Sequence, residues 1–387
     1  MESDNKLFHL DAYALIYRAY YAFIKNPRIN SKGFNTSAIL GFVNTLEEVL
    51  KKENPTHIGV AFDPAGPTFR HEAFEQYKAQ REETPEAIRL SVPIIKEIIR
   101  AYRIPILEVA GYEADDVIGT LATEAGRQGI ITYMMTPDKD YGQLVSDKVF
   151  MYRPKHTGGF EVMGVDEVKA KFDIQSPAQV IDMLGLMGDS SDNIPGCPGV
   201  GEKTAQKLIA EFGSIENLLE HTDQLKGALK TKVETNREMI TFSKFLATIK
   251  IDVPIQLDMD SLVREQADED SLRQIFEELE FRTLIDRVLK KENAGNGITT
   301  PTGNKTAAEK SNLAPLPLFP EEGGAVQGDL FANFTGNEPG EAKNSNLATL
   351  ETLNCDYQLI DTEEKRTKII QKLLTSKILS LDTETTG

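Results

Sequence analysis

Cysteine is nearly missing from this chain: Cys197 and Cys355 are the only two in 387 residues. A pair so widely spaced builds no disulfide framework and no cysteine-based zinc site. Long apolar runs are missing too, so no stretch approaches the length of a membrane span. The polar start MESDNKLFHLD has no secretory core. Histidine is scarce, with five in all, which suits chemistry that needs no histidine base. Positive charge is in deficit, with 43 Lys and Arg against 60 Asp and Glu and a net charge of −17. A polyanion binder ordinarily carries a basic patch. Acids neutralised by bound metal do not count against one, and the distribution of charge matters more than its sum. Together these features predict a cytoplasmic chain in a reducing compartment, and the length predicts two or three domains.

What the chain has in quantity is clustered acid. Nine carboxylates form five groups in the first half: Asp11, Asp63, Glu113-Asp115-Asp116, Asp138-Asp140 and Asp189-Asp192. Most follow short apolar runs that read as strands. KLFHLD ends at Asp11, HIGVAFD at Asp63 and GIITYMMTPDKD at Asp138 and Asp140, with AYALIYRAYYAF and the stretch after Tyr112 reading as helices. Strands alternating with helices predict a mostly parallel central sheet with helices on both faces. Ligands of such sheets bind beyond the carboxyl ends of the strands, and the acids lie there. Gathered like charges repel in a low-dielectric site and need cations to hold them. Oxygen donors without His or Cys point to Mg²⁺ or Mn²⁺, and hence to a two-metal phosphodiesterase. Glu113, Asp115 and Asp116 also open a helix, where acids complement the macrodipole. That accounts for one cluster and not for five.

From about residue 176 to 290 the pattern is helical and short-looped. In PGVGEKTAQKLI, Gly199 and Gly201 flank Val200 in a tight turn that opens a helix, with Lys203 and Thr204 in its first turn. Backbone N–H groups at such a turn suit a phosphate. The string predicts a helix-hairpin-helix that grips duplex backbone without reading sequence. Residues 293–350, rich in Gly, Pro and Asn, read as a flexible linker. Within it, Gln327-Gly328-Asp329-Leu330-Phe331 resembles the short peptide by which bacterial proteins dock on the sliding clamp, with Leu330 and Phe331 as anchors. Strand and helix signals resume near residue 351 and end on LSLDTETTG.

Five strings, LDAYALIYRAYYAF, FDPAGPTFRHEAFEQYKAQREETPE, GYEADDVIGTLA, TPDKDYGQLV and GDSSDNIPGCPGVGEKTAQKL, resemble, in the family's order, the 5′-nuclease domain of bacterial family A DNA polymerases. The final LSLDTETTG is similar to the first motif of the 3′–5′ proofreading domain, with Asp382 and Glu384 as part of that second site. The resemblance implies a flap endonuclease-like catalytic domain of PIN type at 1–175, a helix-hairpin-helix subdomain at 176–292, a linker at 293–350 and a truncated proofreading start at 351–387. It assigns Asp11, Asp63, Glu113 and Asp115 to a first divalent ion. Asp138, Asp140 and Asp189 fall to a second ion, with Asp192 acting through water and Asp116 outer-shell or bridging. It implies a helical arch over about 70–103 that passes a 5′ single strand. There Lys78 and Arg81, i and i+3 on a helix, would stabilise the transition state, Tyr77 would stack on a base and Arg70 would contact phosphate. The competing reading of that stretch is a mixed-charge surface helix, since Glu72, Glu75, Glu82 and Glu83 surround it. Arg18 and Tyr20 are further DNA candidates, and a K⁺ ion at the hairpin turn is a family expectation. The expected activity is two-metal hydrolysis of 5′ flaps, nicks, free 5′ ends and RNA–DNA primers by a monomer in repair and Okazaki-fragment processing. The alternatives are a non-catalytic structure-specific DNA-binding module and a PIN-type RNA nuclease.

Overall fold

The computed structural model describes residues 5–155 and 159–289, together with Thr362, Lys365 and Thr367. The chain divides into two units, Met1–Phe334 and Thr335–Gly387, and the architecture here is that of the first. Gln327, Leu330 and Phe331 of the expected linker, and Asp382 and Glu384 of the expected second site, lie outside the described residues.

Six strands form one sheet: β1 (Lys6–Asp11), β2 (His57–Ala61), β3 (Ile106–Leu107), β4 (Ile131–Met135), β5 (Val149–Pro154) and β6 (Phe160–Met163). Their order is β3-β2-β1-β4-β5-β6. Every neighbouring pair is parallel except β5 with β6. Six helices alternate with the strands: α1 (Ala12–Ala22), α2 (Ser37–Lys52), α3 (Phe69–Ala73), α4 (Glu86–Ala101), α5 (Ala114–Arg127) and α6 (Val165–Phe172). A helical part follows, with α7 (Gln179–Met187), α8 (Glu202–Phe212), α9 (Ile215–Glu220), α10 (Gly227–Thr235), α11 (Arg237–Ala247), α12 (Glu269–Glu278) and α13 (Arg282–Leu289).

A parallel sheet covered by helices buries both of its faces, and the near-continuous apolar run of β1 follows from that. Phe8 and Leu10 join a core with Leu15 of α1, Phe42 and Leu46 of α2, Ile95 and Ile99 of α4, and Phe276 of α12. On the other face Met134 packs with Ile118 and Ala122 of α5, Val168 of α6 and Leu184 of α7. Helices therefore lie on both faces, as the alternation predicted. α2, β5, β6 and α6 are found in addition.

Two expectations are corrected. The helical arch over about 70–103 is not one helical stretch. Residues 74–84 are turns and irregular backbone. α4 belongs to the core instead, because Ile88, Ile95, Ile98 and Ile99 lie on one stripe and are all buried. The second correction is that the helical part is not short-looped throughout, since the chain is irregular between Ala247 and Glu269. β3 pairs only with Val60 and Ala61, which leaves the start of β2 needing partners. The irregular segment supplies them, as the Ile58 N–H donates to Leu262 O at 2.8 Å and the Arg264 N–H to Thr56 O at 2.9 Å.

Candidate active site

The acids converge at the carboxyl ends of the central strands. Asp11 is the last residue of β1 and caps α1, accepting the Ala14 N–H at 3.1 Å. Its other oxygen accepts the hydroxyls of Thr136 at 3.1 Å and Tyr141 at 3.2 Å. Burial first and the Asp63 charge second push its carboxyl up to about 7. Asp63, two residues beyond β2, accepts the Ala114 N–H at 2.7 Å. That bond ties the β2 end to the start of α5, where Glu113, Asp115 and Asp116 lie. One carboxylate oxygen from each of these three falls within 4.8 Å of the other two. Burial, and then the Asp116 charge, raises the Asp115 carboxyl well above its ordinary range.

Asp138 and Asp140 follow β4. The Asp140 N–H donates to Asp138 Oδ1 at 2.9 Å in a short 3-10 turn, Lys139–Leu144. Burial raises both carboxyls. Two buried carboxylate oxygens, Asp115 Oδ1 and Asp140 Oδ1, have no hydrogen-bond partner. Asp189 and Asp192 come from the loop after α7. Gly188 and Gly196 bracket that loop at φ +72° and +62°; a Cβ on Gly188 would run into the Ile194 carbonyl oxygen, and one on Gly196 into the backbone of Gly188. The pinch lets Asp189 and Ile194 exchange both backbone hydrogen bonds, at 2.9 and 2.7 Å. This explains glycine at both ends of GDSSDNIPG. The Lys139 ammonium lies 3.0 Å from Asp189 Oδ2.

Basic side chains sit among these acids. Lys78 donates to Glu113 Oε1 at 2.6 Å and Arg81 to Asp192 Oδ1 at 2.6 Å. Lys78 is also 3.7 Å from Asp192. Burial alone would raise Glu113 and Asp192, but Lys78 with Arg70 holds Glu113 below the usual range, and Lys78 with Arg81 does so for Asp192. The helix expected to align Lys78 and Arg81 is absent. Lys78 has φ +56°, and its N–H donates to Asp192 O at 3.0 Å. A turn pinned to the Asp192 loop brings the two cations together, at a backbone conformation that costs a non-glycine residue about 1 kcal/mol or more.

Two expected DNA contacts are corrected. Arg70 is 1% exposed and faces the protein interior. Its guanidinium forks onto Asp116 at 2.8 and 2.8 Å and reaches Glu113 at 3.0 Å. Tyr77 is 3% exposed, so its ring has no open face for a base. Its hydroxyl lies 3.0 Å from a Glu113 oxygen and 3.1 Å from an Asp192 oxygen, so its one proton is shared between the two carboxylates. Asp116 accepts from Arg70 twice and from the N–H groups of Glu113 and Lys250. Those four bonds use the acceptor capacity of a carboxylate, which suits the outer-shell alternative for Asp116 better than the bridging one.

The family model described as "5'-3' exonuclease, N-terminal resolvase-like domain" matches residues 6–173, and that of "5'-3' exonuclease, C-terminal SAM fold" matches 175–270. The chain belongs to the 5′–3′ exonuclease family. DNA polymerase I of Bacillus subtilis is 43% identical over 291 residues, covering 74% of this chain and 33% of that protein. DNA polymerase I of Bacillus caldotenax is 41% identical over 287 residues, covering 73% and 32%. The chain thus spans about a third of the length of the curated relatives it matches. Among solved structures, the T5 5′-exonuclease with bound zinc has a TM-score of 0.53 at 21% identity, covering 72% of this chain and 99% of its own. The catalytic core of Rad2 with DNA substrate has a TM-score of 0.51 at 18% identity, covering 73% and 93%. These two share the fold.

In this exonuclease domain the predicted hairpin precedes α8. Gly199 has φ +75°, Val200 is buried and Gly201 is the N-cap of α8. Lys203 is exposed and Thr204 half-buried. A Cβ on Gly199 would meet the Lys232 ammonium. Arg18 and Tyr20 are half-buried on α1. Arg18 reaches Lys155 O at 3.3 Å, and the Tyr20 ring packs 5.3 Å from that of Tyr21. Among the described residues no helix is long and apolar enough to cross a membrane. Thr136, Tyr141, Gln143 and Lys139 touch the acids and were not among the predicted site residues. All four stand inside TPDKDYGQLV, where spacing alone gave no hint of which acid each would meet.

Proposed function

We propose that this chain is a structure-specific 5′ nuclease, cutting 5′ flaps and free 5′ ends of DNA and RNA–DNA primers as part of a DNA polymerase I. One observation carries the reading. Asp11, Asp115, Asp138 and Asp140 are acids raised by burial among like charges, and two of their buried oxygens, Asp115 Oδ1 and Asp140 Oδ1, have no hydrogen-bond partner among the described residues. A fold tolerates such a set when cations satisfy it. The donors are all carboxylate oxygens, which fits Mg²⁺ or Mn²⁺. Asp11, Asp63, Glu113 and Asp115 would hold one ion. Asp138, Asp140 and Asp189 would hold a second, with Asp192 behind a water.

Bound ions supply the chemistry of charge neutralisation and water activation at the scissile phosphate. The protein's own groups do the rest. Lys78 and Arg81, already at the rim of the acids, offer N–H donors to the negative charge that grows on the phosphoryl oxygens. Tyr77 and Arg70 hold Glu113 in place. Gly199, Gly201 and the first turn of α8, with Lys203 and Thr204, would grip duplex phosphates. A K⁺ ion at that turn would compete with the Lys232 ammonium beside Gly199. The domain limits 1–175 and 176–292 belong to this reading. So do monomeric action in the cytosol, clamp docking through Leu330 and Phe331, and a proofreading domain starting near 351. The test is cleavage of a 5′-labelled flap duplex with Mg²⁺ or EDTA by wild type and Asp115→Asn. Metal-dependent cutting near the junction, lost in the variant, is expected. Tight flap binding with no cutting under any divalent ion would make the chain a binding module.

A further inference from the structure

Both acid groups abut the same helix end. The last carbonyls of a helix have no intrahelical partners. At the end of α11 they are taken up by two side chains that also hold the acid turns. Arg70 donates to Leu246 O at 2.9 Å and Thr248 O at 2.8 Å. With its bonds to Glu113 and Asp116, all five guanidinium donors are used. Gln143 mirrors this on the other side. Its amide donates to Ala247 O and to Asp140 O, both at 3.0 Å, and its oxygen accepts the Ile249 N–H at 2.9 Å. α11 is in turn fastened to the hairpin and its neighbour. The Gly196 N–H donates to Ser243 Oγ at 2.9 Å, and Lys244 pairs with Asp182 of α7 at 2.6 Å.

We infer that Arg70 and Gln143 are positioning residues that lock the turns of Glu113–Asp116 and Asp138–Asp140 onto the carboxyl end of α11. The spacing of the two acid groups and the seating of the hairpin on a duplex are then set by one helix. A buried guanidinium with every donor engaged has a single orientation, and a fully satisfied buried polar network rigidifies what it joins. The inference rests on the nuclease reading for its role in cleavage and on geometry alone for its hold on the acids.

The experiment uses the whole chain with Arg70→Lys, which keeps the charge but not the fork, and Gln143→Leu, which leaves no charge unpaired. Three quantities are read: single-turnover cleavage of the flap duplex, duplex binding in EDTA, and Mn²⁺ binding without DNA by electron paramagnetic resonance. In each variant the cleavage rate should fall about 10- to 100-fold and the Mn²⁺ midpoint rise about 10-fold, as for groups that orient metal ligands. Duplex binding should change by less than about threefold, and the double variant should lose less than the product of the single losses. A folded Gln143→Leu with wild-type cleavage and Mn²⁺ midpoint overturns the inference. So does a cleavage loss matched by an equal loss of duplex binding. If Arg70→Lys does not fold, Gln143→Leu carries the test. Failure of the wild type to cleave overturns the nuclease reading, while the Mn²⁺ midpoints still decide whether these residues hold the acids.

Discussion

Asp11→Asn should make the metal-free chain more stable. The Asp11 carboxyl is pushed from 3.8 to about 7, by burial first and by Asp63 second. Between those values the folded chain keeps a proton that the unfolded chain has released. The native state then binds more protons, so stability falls as pH rises from about 4 to 7. At about 1.36 kcal/mol per pKa unit, the cost at and above pH 7 reaches about 4 kcal/mol. Asn removes the charge but cannot accept from Thr136 and Tyr141 as a carboxylate does, and those bonds are worth about 1 kcal/mol each. The net expectation is about 2–3 kcal/mol of added stability at pH 8 and little change at pH 4. Urea unfolding in EDTA at pH 4, 6 and 8 measures it. Mg²⁺ at pH 8 should stabilise wild type and do much less for the variant. A variant no more stable than wild type at pH 8 in EDTA would refute the reasoning.

Lys78→Ala should lower the single-turnover cleavage rate about 10²- to 10³-fold, the range for losing one transition-state donor, with a much smaller effect on flap affinity. Equal losses in both would show that Lys78 only binds substrate. Tyr77→Phe deletes the one hydroxyl donor shared by Glu113 and Asp192 without changing ring volume. It should destabilise the fold by about 1–3 kcal/mol while flap binding stays as it was, because the ring is buried; weaker flap binding would restore a stacking role. Lys139→Gln removes the ammonium beside Asp189, so Mn²⁺ titration without DNA should show tighter binding. An unchanged isotherm would mean that Lys139 does not compete with the ion.

Much of the site was legible because it is written locally. β1 ends on Asp11 because an apolar strand runs straight into it, and the same holds near Asp63 and Asp138. The period of the apolar residues fixed the α/β class, and the rule that ligands sit beyond strand ends fixed where the acids would meet. The glycines of GDSSDNIPG and PGVGEKT were readable as turns for the same reason. Partner choice was not legible. Arg70 meets Asp116 across 46 residues and Thr248 across 178, and Tyr77 meets Asp192 across 115. An arginine and a tyrosine in a charged stretch look like surface groups until another segment closes over them. Lys78 and Arg81 were expected to share a helix face because the stretch resembles the family's helical arch, where i and i+3 are neighbours. The Asp192 loop instead accepts the Lys78 N–H and holds a left-handed turn there. By itself the sequence determined which acids exist and which end of the sheet they crown, because strand period and chain direction are local. Only the tertiary structure decided which cations and hydroxyls hold them, because each of those bonds joins residues that become neighbours only after the chain has folded.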